Sequence, residues 1–218
     1  MYFHSRAEAG EQLAREMYDK YRYDNVAIVA LGDGGVAVGE PIAERLHCIL
    51  TMLVSENVEV PGEGQMFGAV SQTGQFTFNS ELAPSEVGAY VTEYHGYLEE
   101  RKREAFHRIN KLIGDGGTID QDLLQDHTVI LVTDGLYEAT IMDVVLDFLK
   151  PVRIQRLVIA TPVASVELVD KVHLIADELH ILDVKPYYPD TNHYYDQNDL
   201  PSHEETIAKI NQIVLNWR

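Results

Sequence analysis

The chain has 218 residues, 45% of them hydrophobic, which is enough apolar material for the core of one large domain, and a single domain over residues 1–218 is expected. Seventeen lysines and arginines face 35 aspartates and glutamates, and the field of a formal charge of −18 repels polyanions, so neither nucleic acid nor an anionic membrane surface is expected as a partner. The single cysteine, Cys48, reads as a buried structural thiol, the first ten residues hold no apolar run, and no stretch reaches the roughly 18 apolar residues of a membrane span, so a cytoplasmic protein is expected.

Arg6 to Tyr21 carries Ala9, Leu13, Ala14 and Met17 at helical spacing and predicts an amphipathic opening helix. Val26 to Leu31 is an unbroken apolar run closed by Gly32, Gly34 and Gly35, the pattern of a strand buried on both faces of a parallel sheet. Val36 to Leu46 reads as a helix and Ile49 to Val54 as a second buried strand. Short β-prone runs between Phe67 and Phe78, split by Thr73-Gly74, predict a small hairpin. A long polar helix is expected from about Pro84 to Ile113, with the Glu99 to Glu104 charge run as its solvated face and Gly114-Asp-Gly-Gly117 as its end.

Strand and helix then alternate: strand Val129 to Val132, helix Glu138 to Leu149, strand Leu157 to Ala160, helix Val166 to Ile175, strand Leu179 to Leu182. The stretch from Lys185 to Asp199, rich in Pro, Tyr, Asp and Asn, predicts an irregular surface segment, and a last amphipathic helix runs from Ser202 to Trp217. The fold class is therefore α/β, an open, mainly parallel sheet flanked by helices on both faces, with a small hairpin.

In sheets of this kind ligands sit beyond the carboxyl ends of the strands, which directs attention to the loops after Leu31, Val54, Val132 and Ala160. In the first, Gly32, Gly34 and Gly35 let backbone N–H groups approach an anion at a helix N-terminus. The same loop fits a dinucleotide fingerprint, with Gly32, Gly34 and Ala37 as the small residues and Glu56 as the ribose acid, and it also fits a plain tight turn.

After the central strand comes Thr133-Asp-Gly-Leu-Tyr-Glu-Ala-Thr140. An acid at a strand end, then glycine, small or hydroxylated residues and a helix start, suits a phosphorylated ribose: Asp134 takes the ribose hydroxyls while N–H and hydroxyl groups take the 5-phosphate. His173, His180 and Asp177 would meet a metal only if the fold brought them together, and no metal site is assigned. Tyr187, Tyr188, His193, Tyr194 and Tyr195 either stack on a flat ligand or pack their segment onto the sheet.

Taken in order, Phe3, Arg6, Glu8-Ala-Gly10, Ala30-Leu-Gly-Asp-Gly-Gly-Val36, Pro61-Gly62, Gly68-Ala69, Val132-Thr-Asp-Gly-Leu-Tyr-Glu-Ala-Thr-Ile-Met142 and Ala160-Thr-Pro-Val-Ala164 resemble the motifs of the bacterial "predicted phosphoribosyltransferase" group of the type I phosphoribosyltransferases. This resemblance implies transfer of ribose 5-phosphate from phosphoribosyl pyrophosphate to a nitrogenous acceptor, in nucleotide metabolism, with Mg²⁺ as cofactor. It makes Thr133, Asp134, Gly135, Glu138, Ala139 and Thr140 the ribose and phosphate candidates and Gly32, Asp33, Gly34, Gly35 and Glu56 the pyrophosphate candidates. The strands that carry these two loops are expected to be adjacent, with the loops facing one cleft. It also makes the irregular segment a C-terminal hood over the acceptor, with Tyr187, Tyr188, Tyr194 and Tyr195 as its contacts. No catalytic residue is assigned, a phosphorylated small molecule is the expected partner, and a homodimer is compatible with the resemblance.

The departures from the motifs bear on activity. Asp33 stands where the group has arginine, Glu56-Asn57 where it has Arg-Lys, Thr133 where it has the first of two acids, and Glu138-Ala139 where it has the phosphate-cradling Thr-Gly. Glu138 is expected at the N-terminus of its helix, interacting with the free N–H groups and filling the space of a 5-phosphate. A unit charge pair about 5 Å apart interacts by roughly 3 kcal/mol at an effective dielectric near 20, so reversing one charge swings binding by up to about twice that. Mg²⁺ held by Asp33, Glu56 or Asp134 would offset part of the repulsion. The residues therefore point to a weakly active or non-catalytic binding or regulatory homologue. The alternatives are an active Mg²⁺-dependent phosphoribosyltransferase and a dinucleotide-binding enzyme.

Overall fold

The computed structural model describes residues 2–62, 64–113 and 121–216, which form two compact units. The first comprises Met1–Met52, Ile119–Tyr137 and Val152–Arg218, and the second Leu53–Thr118 and Glu138–Pro151.

The first unit opens with α1 (Arg6–Tyr21), whose N-cap Ser5 accepts a hydrogen bond from the Glu8 N–H. Its buried stripe contains Ala9, Gly10, Leu13, Ala14, Met17 and Tyr21, and, unusually for a cation, Arg6. β1 (Val26–Leu31) is buried at all six positions and runs directly into α2 (Gly32–Leu46). Gly32 makes this junction with φ +70, a backbone conformation costly for residues with a Cβ. The expected glycine loop is thus the first turn of a helix that begins at Gly32 rather than Val36, because the left-handed Gly32 turns the chain within one residue.

After β2 (Ile49–Leu53) the chain passes through the second unit and returns as β6 (Thr128–Val132), β7 (Arg156–Ser165), α6 (Val166–Val172), β8 (Glu178–Lys185) and α7 (His203–Asn216). The sheet order is β2-β1-β6-β7-β8. β1 pairs parallel with β6 from Val26↔Thr128 to Ala30↔Val132, and β6 parallel with β7 from Thr128↔Arg156 to Val132↔Ala160. β1 and β6 are buried, as their unbroken apolar runs imply, and adjacent, as the resemblance implies, and the sheet is the expected mainly parallel one, flanked by helices.

β7 and β8 run longer than their apolar cores suggest, and α6 is correspondingly shorter. Past Ala160 the chain stays extended, its ladder with β8 skipping Pro162, which has no N–H to give. The extension is used: the Leu136 N–H donates to the Val163 carbonyl at 2.9 Å and the Ser165 N–H to the Leu136 carbonyl at 2.9 Å, which ties the loop after β6 to the end of β7.

The second unit has a three-stranded antiparallel sheet, β3 (Ser55–Glu59), β4 (Met66–Ser71) and β5 (Phe76–Phe78), in that order. β4 and β5 are the expected hairpin. β3 is an addition, and it holds Glu56 and Asn57 in a strand rather than in a loop. The strand announces itself poorly in sequence because only Val58 of its five residues is buried.

The expected long helix is two, α3 (Pro84–Glu93) and α4 (His95–Ile113), separated at Tyr94, which leaves the helical basin with φ −112 and ψ 20. The hydrogen bonds Tyr94 N–H to Tyr90 carbonyl and Leu98 N–H to Tyr94 carbonyl, both 2.9 Å, run through the kink, so the apolar period continues across it. The core of this unit gathers Val58, Val60, Phe67, Val70, Leu82, Leu98, Ala105 and Ile109. α5 (Ala139–Leu149) is fixed to the hairpin side by the Thr77 hydroxyl donating to Asp147 at 2.9 Å and the Ser80 N–H donating to Asp143 at 2.9 Å. The glycines 114–117 expected to end the long helix, and Trp217, lie outside the described residues.

No helix among the described residues is long and apolar enough to cross a membrane. The packing of the first unit can be tested at two residues. An ideal Cβ on Gly10 would lie 2.4 Å from the Val38 carbonyl oxygen, so α1 and α2 approach backbone to backbone there. Gly10→Ala should lower the unfolding free energy by about 1–3 kcal/mol in urea denaturation, as expected of an overpacked contact. Burial pushes the Cys48 thiol up to about 12, so the native protein should resist a disulfide thiol reagent at pH 8 and react stoichiometrically once unfolded.

Candidate functional site

The loop after β6 meets the start of α2 as a shared ligand loop would. A Cβ on Gly34 would fall 2.2 Å from Asp134 Oδ2, and one on Gly35 would fall 2.6 Å from the Val132 carbonyl, so both glycines are required by close approach. Asp134 and the glycines at the start of α2 are therefore neighbours, while Gly32 itself faces open space.

The Asp134 carboxylate is occupied from within. Arg6 Nε donates to Asp134 Oδ2 at 2.7 Å, and the Arg6 side chain is only 1% exposed. The remaining guanidinium nitrogens reach the C-terminal segment: Nη1 lies 3.3 Å from Asp199 Oδ1, and Nη2 donates to Asn192 Oδ1 at 2.6 Å. The Arg6 backbone N–H also donates to Asp199, at 3.1 and 3.0 Å to its two oxygens, where a carboxylate complements the free N–H groups of a helix start. The Tyr195 ring stacks beneath the guanidinium at 4.5 Å, and the Tyr195 hydroxyl donates to the Asp134 carbonyl at 2.6 Å. Burial raises the Asp134 carboxyl above its ordinary pKa, and the Asp199 charge acts in the same sense while Arg6 opposes both.

Gly135 lies under the same segment. A Cβ there would sit 2.0 Å from the Tyr188 hydroxyl and 2.7 Å from Thr191 Oγ1, two groups that are 3.1 Å apart. Tyr188 stacks on Tyr137 at 5.1 Å with the planes 14° apart. Thr133, in place of an acid, folds its hydroxyl back into the loop, donating to the Gly135 carbonyl at 3.0 Å.

The segment expected to be irregular and on the surface is therefore partly buried. Its Asn192–Tyr194 stretch is a 3-10 turn, and Tyr194 and Tyr195 are buried with Phe3, Ala9 and Val163. Of the expected hood tyrosines, Tyr194 and Tyr195 pack the segment down and Tyr188 covers Gly135, while Tyr187 is exposed, its carbonyl accepting the Tyr194 hydroxyl at 2.8 Å.

Asp33 and Glu56 each have a basic neighbour. Asp33 Oδ1 lies 3.0 Å from Nδ1 of His203, the first residue of α7. In the second unit Arg108 Nε donates to Glu56 at 3.2 Å. A dinucleotide reading needs Glu56 free for a ribose. Glu138 is the N-cap residue of α5 but makes no side-chain cap; its carboxylate instead accepts from Asn57 Nδ2 at 3.4 Å. The expectation that Glu138 would fill the 5-phosphate space by capping the helix is thereby corrected. Ala139 opens α5, and Thr140 is buried in its first turn.

His173, His180 and Asp177 do not converge on a metal: His180 lies against Glu16, Glu178 and Tyr21, while Asp177 accepts from the Leu157 N–H at 2.7 Å. Among the described residues no group of three His, Cys, Asp or Glu side chains is placed to hold a metal ion. The three acids that the resemblance offers to Mg²⁺ are committed to Arg6, His203 and Arg108, which does not fit an ion needing several unshared oxygen donors.

Sequence reasoning missed Arg6, Asn192 and Asp199 as site residues. A signal for Arg6 was present, since it continues the Ala9, Leu13, Met17 stripe of α1 and a cation on an apolar stripe requires a buried acid. Asn192 and Asp199 lie in irregular chain, where no periodicity marks them.

The sequence model "Phosphoribosyl transferase domain" matches residues 3–179. The crystal structure of TT1426 from Thermus thermophilus is similar over 100% of this chain and 99% of its own, with a TM-score of 0.73 and 25% identity. Lesser likenesses are to a hypothetical protein from Neisseria gonorrhoeae with bound ppGpp (TM-score 0.49, 12% identity, 95% and 97% covered) and to a purine phosphoribosyltransferase from Pyrococcus horikoshii Ot3 (0.46, 14%, 81% and 81%).

A double-mutant cycle tests the buried pair. Arg6→Met leaves Asp134 facing burial without its cation and should cost about 3–5 kcal/mol of stability. Asp134→Leu in the Arg6→Met background should recover part of that loss. Additive effects within about 0.5 kcal/mol, measured by chemical denaturation, would show that the two side chains are not coupled.

Proposed function

Because this chain belongs to the phosphoribosyl transferase domain family, we propose that it is a phosphoribosyltransferase homologue with little or no transferase activity, keeping the fold as a binding or regulatory module. The observation that carries this reading is that the chain fills its own loop: Tyr188 and Thr191 stand over Gly135, and the Thr133 hydroxyl, in place of an acid, turns back to the Gly135 carbonyl. Asp134 is the one acid left where the family motif resembles a pair, and its carboxylate receives a charge-assisted hydrogen bond from a buried guanidinium of the same chain.

Transfer of a ribose 5-phosphate passes through an electron-poor anomeric carbon, so an enzyme of this family works by positioning the sugar and stabilising charge more than through one acid or base. For that work the loop must offer its acid to the ribose hydroxyls and its N–H groups to phosphate. Here Asp134 is turned to Arg6, the Thr133 hydroxyl is spent inside the loop, and Tyr188 and Thr191 stand over Gly135. Mg²⁺ supplies charge neutralisation for pyrophosphate when it is bound, and Asp33, Glu56 and Asp134, each already paired, do not fit it. The ligand class that remains for the module is a phosphorylated small molecule.

The test is calorimetric titration with phosphoribosyl pyrophosphate and Mg²⁺, beside a pyrophosphate-release assay over the common nucleobases. Wild-type binding should be near ~1 mM at best, about −4 kcal/mol, with no pyrophosphate released. Thr133→Asp with Glu138→Thr and Ala139→Gly should tighten binding at least tenfold, about 1.4 kcal/mol. Asp33 and Glu56 are left in place because arginines there would face His203 and Arg108. Micromolar binding with turnover by the wild type would overturn the proposal.

A further inference from the structure

Residues 187–199 lie across the loop after β6 without joining the sheet. Tyr188 and Thr191 sit on Gly135, the Tyr195 hydroxyl holds the Asp134 carbonyl at 2.6 Å, and Asn192 and Asp199 hold the Arg6 guanidinium. From the other side the segment is clamped by residues near the N-terminus: the Phe3 N–H donates to the Tyr194 carbonyl at 2.9 Å, and the Asp196 and Gln197 N–H groups donate to the Phe3 and His4 carbonyls at 2.9 and 3.0 Å.

Two properties separate this cover from the sheet it lies on. Its buried apolar anchor is a small cluster, Phe3, Ala9, Val163, Tyr194 and Tyr195, and its links to the loop are polar side-chain contacts and one ring stack, Tyr188 on Tyr137. A segment held this way opens as a local unit at lower cost than unfolding the buried strands β1 and β6. Opening also changes the charge at the loop. Closed, the Arg6 guanidinium faces two carboxylates, Asp134 and Asp199; with the segment lifted it faces only Asp134, because Arg6 belongs to α1 and stays behind. The open loop then carries one negative charge fewer beside a glycine backbone, which favours an anionic sugar ligand.

We propose that residues 187–199 are an autoinhibitory strap that closes the Asp134–Gly135 loop, and that lifting it admits a sugar phosphate beside Arg6. This rests on the reading of the loop as a phosphoribosyl site. The strap itself is independent of whether phosphoribosyl pyrophosphate is turned over.

Hydrogen exchange by mass spectrometry and calorimetry with ribose 5-phosphate test it in the full chain. The wild type should exchange 133–137 and 187–199 with one shared opening, faster than 128–132. In Asn192→Ala with Asp199→Asn, exchange of both segments should rise at least tenfold while 128–132 stays protected, and ribose 5-phosphate should bind at least tenfold more tightly. Unchanged protection of 133–137 in a folded variant overturns the strap, as does faster exchange with unchanged affinity. If the variant fails to fold, the wild-type measurement decides: a segment 187–199 that exchanges only together with 128–132 is core, and the proposal is wrong. Pyrophosphate release by the wild type would instead defeat the loss of transferase activity, and it would leave the exchange result standing.

Discussion

The Arg6–Asp134 ion pair is the constraint on which the site depends. Placing a guanidinium on the buried stripe of α1 is tolerable only if carboxylate and carbonyl oxygens come to it, because an uncompensated buried charge costs several kcal/mol. Asp134 comes from the end of β6, Asp199 and Asn192 from the chain after β8, and Tyr195 closes the face of the guanidinium. One cation thus ties the first helix, the central loop and the C-terminal segment into a single arrangement. The Gly34 contact with Asp134 and the Gly135 contact with Tyr188 follow from how closely these pieces must approach.

The acids that stand where the motifs have arginine or threonine fit the same picture. Asp33 faces His203 across α2 and α7, two helices that are also joined by a Lys209–Glu40 pair, and in the second unit Glu56 has Arg108 and Glu138 has Asn57. Each of these three acids has an internal partner. Most of these pairs are partly exposed, and each contributes a modest fraction of the stability. Their importance is positional: these side chains address one another.

Much of the fold was legible because burial on both faces leaves unbroken apolar runs. Val26–Leu31 and Thr128–Val132 could hardly be anything but central parallel strands, and α1 has the limits that its stripe implies. β3 was not legible, since Ser-Glu-Asn-Val-Glu offers one buried residue and its strand identity comes from pairing with β4. Nor was the kink at Tyr94, where hydrogen bonds and apolar spacing both continue. At the site, Asp134 and Gly135 were identified from the motif, but their engagement was not. Asn192 and Asp199 are brought to Arg6 by an irregular path after β8, and local sequence rules do not describe such a path. The capping role expected of Glu138 failed for a related reason: a tertiary neighbour, Asn57, captured its carboxylate.

Gly135 has a wider consequence. It occupies the glycine position of the central motif, where a survey of sequences would score it as retained ligand chemistry. In this chain the same residue also meets a packing constraint, since a Cβ at position 135 would lie 2.0 Å from the Tyr188 hydroxyl, which would have to shift. Retention of that glycine in a chain that carries Tyr188 therefore answers to packing as well as to any ligand, and the glycine by itself does not separate the two.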